Sequence, residues 1–150
     1  RIPLLGKIAV QGFNGFSAAA VKMAVSRTRL SKLVAKGLLA PYDSWANRLA
    51  VHQFVVDIPL SKGHRSWDTL QKVEDGLTQF RDHPVCLIWG MKDWCFTPRF
   101  LERFQGFFPN AQVQKIQDAG HYVVEDASDD VIETMAAFLA ANADSTQKAG

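Results

Sequence analysis

Val85-Cys86-Leu87-Ile88-Trp89-Gly90 decides how this chain folds. Five apolar residues in succession, without apolar–polar alternation, are the pattern of a parallel strand buried on both faces, and Gly90 breaks the run. Downstream, Thr97 as a cap and Pro98 at the first helical position predict a helix to about Phe108. Pro109-Asn110 reads as a turn, Gln112–Ile116 as a shorter and more polar strand, and Gly120-His121-Tyr122 as a loop. Ser128 is expected to cap a last helix, with Asp129 and Asp130 favourable against its dipole and Ile132, Met135 and Leu139 facing inward. Residues 144–150 read as a disordered tail. Strand, helix, strand, helix is the order of an α/β fold.

Upstream the texture is helical. Phe16, Ala19, Ala20, Met23 and Ala24 recur at helical spacing, so a helix begins near Ser17. Ser26 to Lys36 is expected to continue helically until Gly37, with Pro41 closing the connection. Asp43 or Ser44 can cap a helix carrying Trp45, Leu49 and Val56, which must end before Pro59. Ser66 can cap another that bears Trp67, Leu70, Val73, Leu77 and Phe80. Ile8–Val10 is a weak strand candidate.

The chain has 150 residues, 47% hydrophobic and 21% charged, with two cysteines, Cys86 and Cys95. That composition supports a globular core, and two cysteines are too few for a disulfide framework or a four-ligand zinc site. No metal-ligand spacing and no phosphate-binding glycine loop is present, so no cofactor or metal is expected. No leader or lipidation motif is read in these residues, and the expected location is the cytoplasm. The net charge of +2 conceals an asymmetry: residues 1–50 carry +7 and the rest −5. The default reading of the basic half is the solvated face of helices. Lys22, Arg29 and Lys36 recur every seven residues and leave open a basic helical face toward a membrane surface or nucleic acid, neither of which is the expected partner.

Two strands alone make a marginal sheet, and an apolar strand such as Val85–Trp89 needs neighbours on both edges. The sheet is therefore expected to continue in sequence outside these residues, and the isolated chain to fold poorly or self-associate. Asp93 follows the first strand and His121 the second. Parallel neighbours joined by a right-handed crossover present their C-terminal ends at one edge, where α/β sheets place their sites. A carboxylate there can orient an imidazole and stabilise its protonated form. Taken singly, Asp93 could equally be a turn acid and His121 an ordinary loop histidine. Cys95 reads as a packed thiol, His52 as packing or surface, and His64 and His83 as groups at helix ends. Trp45, Trp67, Trp94, Phe13, Phe54 and Phe96 are candidates for the lining of an apolar pocket.

Ile88-Trp89-Gly90-Met91-Lys92-Asp93 with Phe96-Thr97-Pro98, then Phe108-Pro109-Asn110-Ala111, then Ala119-Gly120-His121-Tyr122 with Glu125-Asp126, resembles the C-terminal part of an α/β-hydrolase. The nearest branch is the haloalkane dehalogenase-like hydrolases. The resemblance implies that Asp93 and His121 are the acid and base of a catalytic triad. It also implies that residues 1–82 are a helical cap region and residues 83–143 the C-terminal part of the core. Chain order in that superfamily is nucleophile, cap, acid, histidine. No Gly-x-Ser-x-Gly or aspartate elbow is present, so the nucleophile is expected before Arg1 and these residues alone are expected to be inactive. The implied partners are a small apolar substrate and the missing N-terminal half of the core. An aspartate nucleophile would imply dehalogenase-like displacement, a serine an esterase or lipase; a non-catalytic binding module is the remaining alternative.

Overall fold

The computed structural model describes residues 6–143, so the expected tail at 144–150 lies outside the described residues. The chain divides into two compact units. Among the described residues one comprises 6–23 and 30–76, the other 24–29 and 77–143.

The first unit is helical. A π-helical turn spans Ile8–Gly12, followed by α1 (Gly15–Met23), α2 (Lys32–Leu39), a 3-10 turn at Ala40–Tyr42, α3 (Leu49–Asp57) and α4 (Trp67–Gly76). Ile8–Val10 is thus helical and not a strand, because Phe13 N–H closes back onto the Ile8 carbonyl at 3.2 Å. Pro59 stops α3 as expected, with Ile58 extended at ψ 116. The Ser44 hydroxyl accepts from Asn47 N–H at 3.2 Å and opens a turn from which α3 follows. The Ser66 hydroxyl is instead spent on Asp57 Oδ1, at 2.7 Å.

Ser26–Lys36 is not one helix. Residues 24–30 are irregular, Ser31 caps α2 by accepting from Val34 N–H at 3.1 Å, and α2 runs through Gly37. The cause is tertiary: the N–H groups of Ser26, Arg27 and Thr28 all donate to the Asp126 carboxylate and are not available to a helix. Lys22, Arg29 and Lys36 therefore do not share one helical face, since Arg29 lies in the irregular segment.

The second unit is α/β. After a 3-10 turn at Leu77–Phe80 come β1 (Cys86–Gly90), α5 (Pro98–Phe107), β2 (Gln112–Ile116), the short α6 (Val123–Asp126) and α7 (Ser128–Asn142). β1 and β2 pair in parallel with Cys86 opposite Gln112 and Gly90 opposite Ile116, so both strands end at one edge. Ile116, Ala119, Ala127 and Val131 form the buried cluster, with Ile88 and Val123 packed against it. Leu101, on α5, is 1% exposed.

The inward row expected on α7 is displaced. Val131 is the buried residue, whereas Ile132 and Leu139 are 64% and 63% exposed and Met135 is half exposed. The helix turns Val131 onto the cluster and leaves the 132/135/139 row uncovered. Met135 and Leu139 join Cys86, Ile88, Val123 and Val131 around an open apolar depression of about 410 Å³.

Candidate active site

β1 delivers the acid. Its last residue, Gly90, must be a glycine, because a Cβ would run into the carbonyl oxygens of Gly120 and Ala119, the latter at 2.7 Å. The chain then turns tightly: Met91 N–H donates to the Ile116 carbonyl and Lys92 N–H to that of Ala119, each at 2.9 Å, and Asp93 N–H returns to Gly90 at 3.1 Å. Asp93 is 8% exposed and uses its two oxygens differently. Oδ1 accepts from Cys95 N–H at 2.7 Å and Phe96 N–H at 2.8 Å, which is the turn-stabilising function an aspartate performs after a strand. Oδ2 lies 2.9 Å from His121 Nδ1. Turn acid and histidine partner are thus one residue, one oxygen each.

β2 delivers the histidine through the loop Gly120–Tyr122. An ionised carboxylate can only accept, so the hydrogen bond to Asp93 places the ring proton on Nδ1 and leaves the Nε2 lone pair available. Three aromatic rings surround the imidazole: Phe96 at 5.3 Å between centroids, Tyr122 stacked at 5.8 Å, and Trp94 at 6.4 Å. Asp93, Phe96 and His121, with the Ile88–Gly90 end of β1, line an open depression of about 250 Å³. The site therefore holds an imidazole oriented by a carboxylate beside an apolar wall.

Other residues singled out by the sequence lie elsewhere or do other work. Cys95 is exposed rather than packed. Partial burial of its thiol and the neighbouring Asp93 charge push its pKa up, against thiolate chemistry. His64 is fully engaged, with Nδ1 accepting from Ser66 N–H and Nε2 directed to the Val56 carbonyl. His52 Nδ1 is buried without a hydrogen-bond partner, and His83 sits edge-on to Phe80. Of the aromatic candidates, Trp94 and Phe96 lie beside His121, while Phe13, Trp45, Phe54 and the half-buried Trp67 belong to the helical unit. Among the described residues no cluster of His, Cys, Asp or Glu could hold a metal ion, and no helix is long and apolar enough to cross a membrane.

The sequence reading gave Asp126 no separate role. It is 3% exposed and accepts from four backbone N–H groups: Ser26 and Gly120 on Oδ2, both at 2.7 Å, and Arg27 and Thr28 on Oδ1, at 2.9 and 3.0 Å. Burial alone would raise its pKa; the four donors outweigh it and hold the carboxyl below its ordinary value. Beside it the Arg27 guanidinium forks onto Asp118, at 2.8 and 2.9 Å, and reaches Asp130. Its hydrogen bonds to Asp118, then to Asp130, raise the guanidinium pKa.

Comparison with known proteins fits this geometry. The sequence profile of the α/β hydrolase fold matches residues 13–128. The chain belongs to the α/β hydrolase fold family. It is 40% identical over 139 residues to a cis-3-alkyl-4-alkyloxetan-2-one decarboxylase of Shewanella oneidensis, covering 93% of this chain and 44% of that protein. The protein of the same description from Xanthomonas campestris is 38% identical over 138 residues, covering 92% and 46%. Among solved structures, a loop variant of the haloalkane dehalogenase DbeA from Bradyrhizobium elkanii superposes with a TM-score of 0.85 at 21% identity, over 99% of this chain and 49% of that one. The fold is thus the one haloalkane dehalogenases have, as the resemblance implied. The chain spans less than half the length of the curated relatives it matches.

Proposed function

We propose that Asp93 and His121 are the acid and the base of a nucleophile–histidine–acid triad whose nucleophile precedes Arg1. The observation that carries this reading is the 2.9 Å contact of His121 Nδ1 with Asp93 Oδ2 at the shared end of two parallel strands. With Nδ1–H held by the carboxylate, Nε2 is the atom that takes a proton, and Asp93 stabilises the imidazolium that results. Residues 1–82 serve as the helical cap region and residues 83–143 as the acid–histidine part of the core. The N-terminal half of the core is the partner, and it supplies neighbours for the free edge of β1 and cover for the depression lined by Ile88, Val131, Met135 and Leu139. The cytoplasm is the compartment this reading assumes.

The substrate is a small apolar molecule carrying a leaving group on an sp³ carbon. Haloalkanes and dialkyl β-lactones, named by the structural neighbours and the curated relatives, share that feature. An aspartate nucleophile would displace halide to form an alkyl ester, which a water deprotonated by His121 would hydrolyse. On a β-lactone the same attack would open the ring at its C–O carbon and free a carboxylate on the neighbouring carbon. Loss of CO₂ would then form the C=C bond, expel the aspartate and consume no water. The lactone is the first substrate to try, because the 40% identity to its decarboxylase extends over 93% of this chain. A serine nucleophile would make the same pair serve an esterase.

The test is Asp93→Asn in the intact protein, assayed with a cis-3,4-dialkyloxetan-2-one and a 1-bromoalkane. The amide can keep its oxygen on Cys95 and Phe96 while presenting N–H groups to His121, which forces the wrong tautomer. Turnover of the bromoalkane, whose ester intermediate needs the water that His121 deprotonates, is expected to fall by up to about 10⁴-fold with little change in melting temperature. The lactone reaction consumes no water and is expected to be affected less. Bromoalkane turnover within tenfold of the parent would remove Asp93 from the site. With the bromoalkane, His121→Ala is expected to accumulate an alkyl-enzyme visible by mass spectrometry.

A further inference from the structure

His121 is fixed through the peptide groups on either side of it. Gly120 N–H donates to Asp126 Oδ2 at 2.7 Å, and Tyr122 N–H donates to the Ala24 carbonyl at 2.8 Å. Both tethers lead to the segment 24–28, whose three successive N–H groups at Ser26, Arg27 and Thr28 form a nest for an anion. Asp126 fills that nest and with the same carboxylate holds Gly120. The approach is close: a Cβ on Gly120 would meet the Ala24 carbonyl oxygen at 2.8 Å and Ser26 Oγ at 3.0 Å.

We infer that Asp126 is a positioning residue for His121, its carboxylate fastening the 120–122 loop to the 24–28 segment and so holding the imidazole on Asp93. The inference rests on the reading of His121 as the base. Each oxygen of Asp126 serves two backbone donors. An asparagine has only one acceptor oxygen, and its NH₂ would face either Ser26 and Gly120 or Arg27 and Thr28. Whichever pair faces the NH₂ loses its acceptor beside the buried Asp126 side chain, at Gly120 in a buried position and at the others in part-buried ones, a cost that the loop relieves by moving. A displacement of about 1 Å at a catalytic group can cost about 10²-fold in rate.

The experiment compares the parent, Asp126→Asn and Arg27→Ala in the intact protein, each well below its own unfolding midpoint. The readouts are kcat and KM on a 1-bromoalkane, whose alkyl-ester intermediate needs the water that His121 deprotonates, and the His121 tautomer from ¹⁵N NMR of the imidazole. Asp126→Asn is expected to lower kcat by about 10²-fold with KM near the parent value, and to deplete the Nδ1–H tautomer. Arg27→Ala removes the ion pairs to Asp118 and Asp130 but none of the four backbone donors, so it lowers the melting temperature while kcat and tautomer stay parental. An Asp126→Asn protein that melts lower yet keeps parental kcat and tautomer overturns the inference. If Asp126→Asn does not fold, amide exchange in the parent decides. Gly120 is expected to open together with Ser26 and Thr28, and Gly120 exchanging independently of them overturns it. A parent that leaves the bromoalkane untouched counts against the reading of His121 as a hydrolytic base, while the tautomer comparison still decides the role of Asp126.

Discussion

The helical unit and the α/β unit are held together by different means. In the helical unit the buried side chains among the described residues are polar, Gln11 and Ser17. Its tie points are side chains on carbonyls. Arg48 Nη1 donates to Gln11 and Gly12 at 2.7 and 2.6 Å, Nε to Tyr42 at 2.9 Å and Nη2 to Asp43 at 3.1 Å. Gln11 reaches the Trp45 carbonyl at 3.0 Å, and Asn14, left-handed at φ 52, that of Tyr42 at 3.3 Å. Leu33, Phe54 and Leu60 stay exposed. The α/β unit instead buries Leu101, Phe108, Ile116, Ala119, Ala127 and Val131. The acid–histidine pair sits on the unit with the apolar core. There close packing resists displacement of the pair, as the catalytic role proposed for it requires. A unit pinned by individual guanidinium and amide contacts can lose one pin without losing a core.

The largest effect expected from this contrast is that of Leu101→Ala. It should destabilise the α/β unit by about 2–5 kcal/mol, read from denaturant unfolding with amide exchange at β1 as the local report. A loss below about 1 kcal/mol would mean that the core does not carry the unit. Arg48→Ala comes next. Losing charge-assisted contacts to four carbonyls should cost the helical unit about 1.5–3 kcal/mol, seen as faster amide exchange around residues 8–13 and 44–48. The β1 amides should not change; if they do, the two units share their stability.

Acid gives the smallest and sharpest separation. Asp126 is held below its ordinary value of 3.8 by the backbone donors that outweigh its burial. In the helical unit Asp57 is lowered by the Ser66 hydroxyl and then by Arg65. A carboxylate with a depressed folded-state pKa contributes stability that is full above its unfolded pKa and is lost as pH falls through the folded value. Both units should therefore weaken as pH falls below 3.8. Asp57 is 47% exposed and Asp126 is buried. At 1 M salt the acid loss of the helical unit should shrink, and the part due to Asp126 should persist. Unfolding midpoints between pH 5 and pH 2 at low and high salt, measured in an Arg27→Ala background, check this. That background removes the exposed Arg27–Asp118 pair of the α/β unit. Equal salt sensitivity in the two units would break the distinction.

The sequence by itself determined what short-range patterns carry. The apolar run Val85–Trp89, Pro98 after Thr97, and Gln112–Ile116 correspond to β1, α5 and β2 within a residue. Two parallel strands ending together bring Asp93 and His121 to one edge. Tertiary structure decided what depends on residues remote in sequence. Ser26–Thr28 leave the helix expected of them because Asp126, about 100 positions later, takes their N–H groups. Their polarity and spacing carry no trace of that partner. Likewise the α7 stripe showed an apolar face at Ile132, Met135 and Leu139, but which row turns inward was set by the fit of Val131 against Ile116 and Ala119. Periodicity records that a face is apolar; which neighbour covers it, and whether a carboxylate finds four donors, is fixed only when distant segments meet.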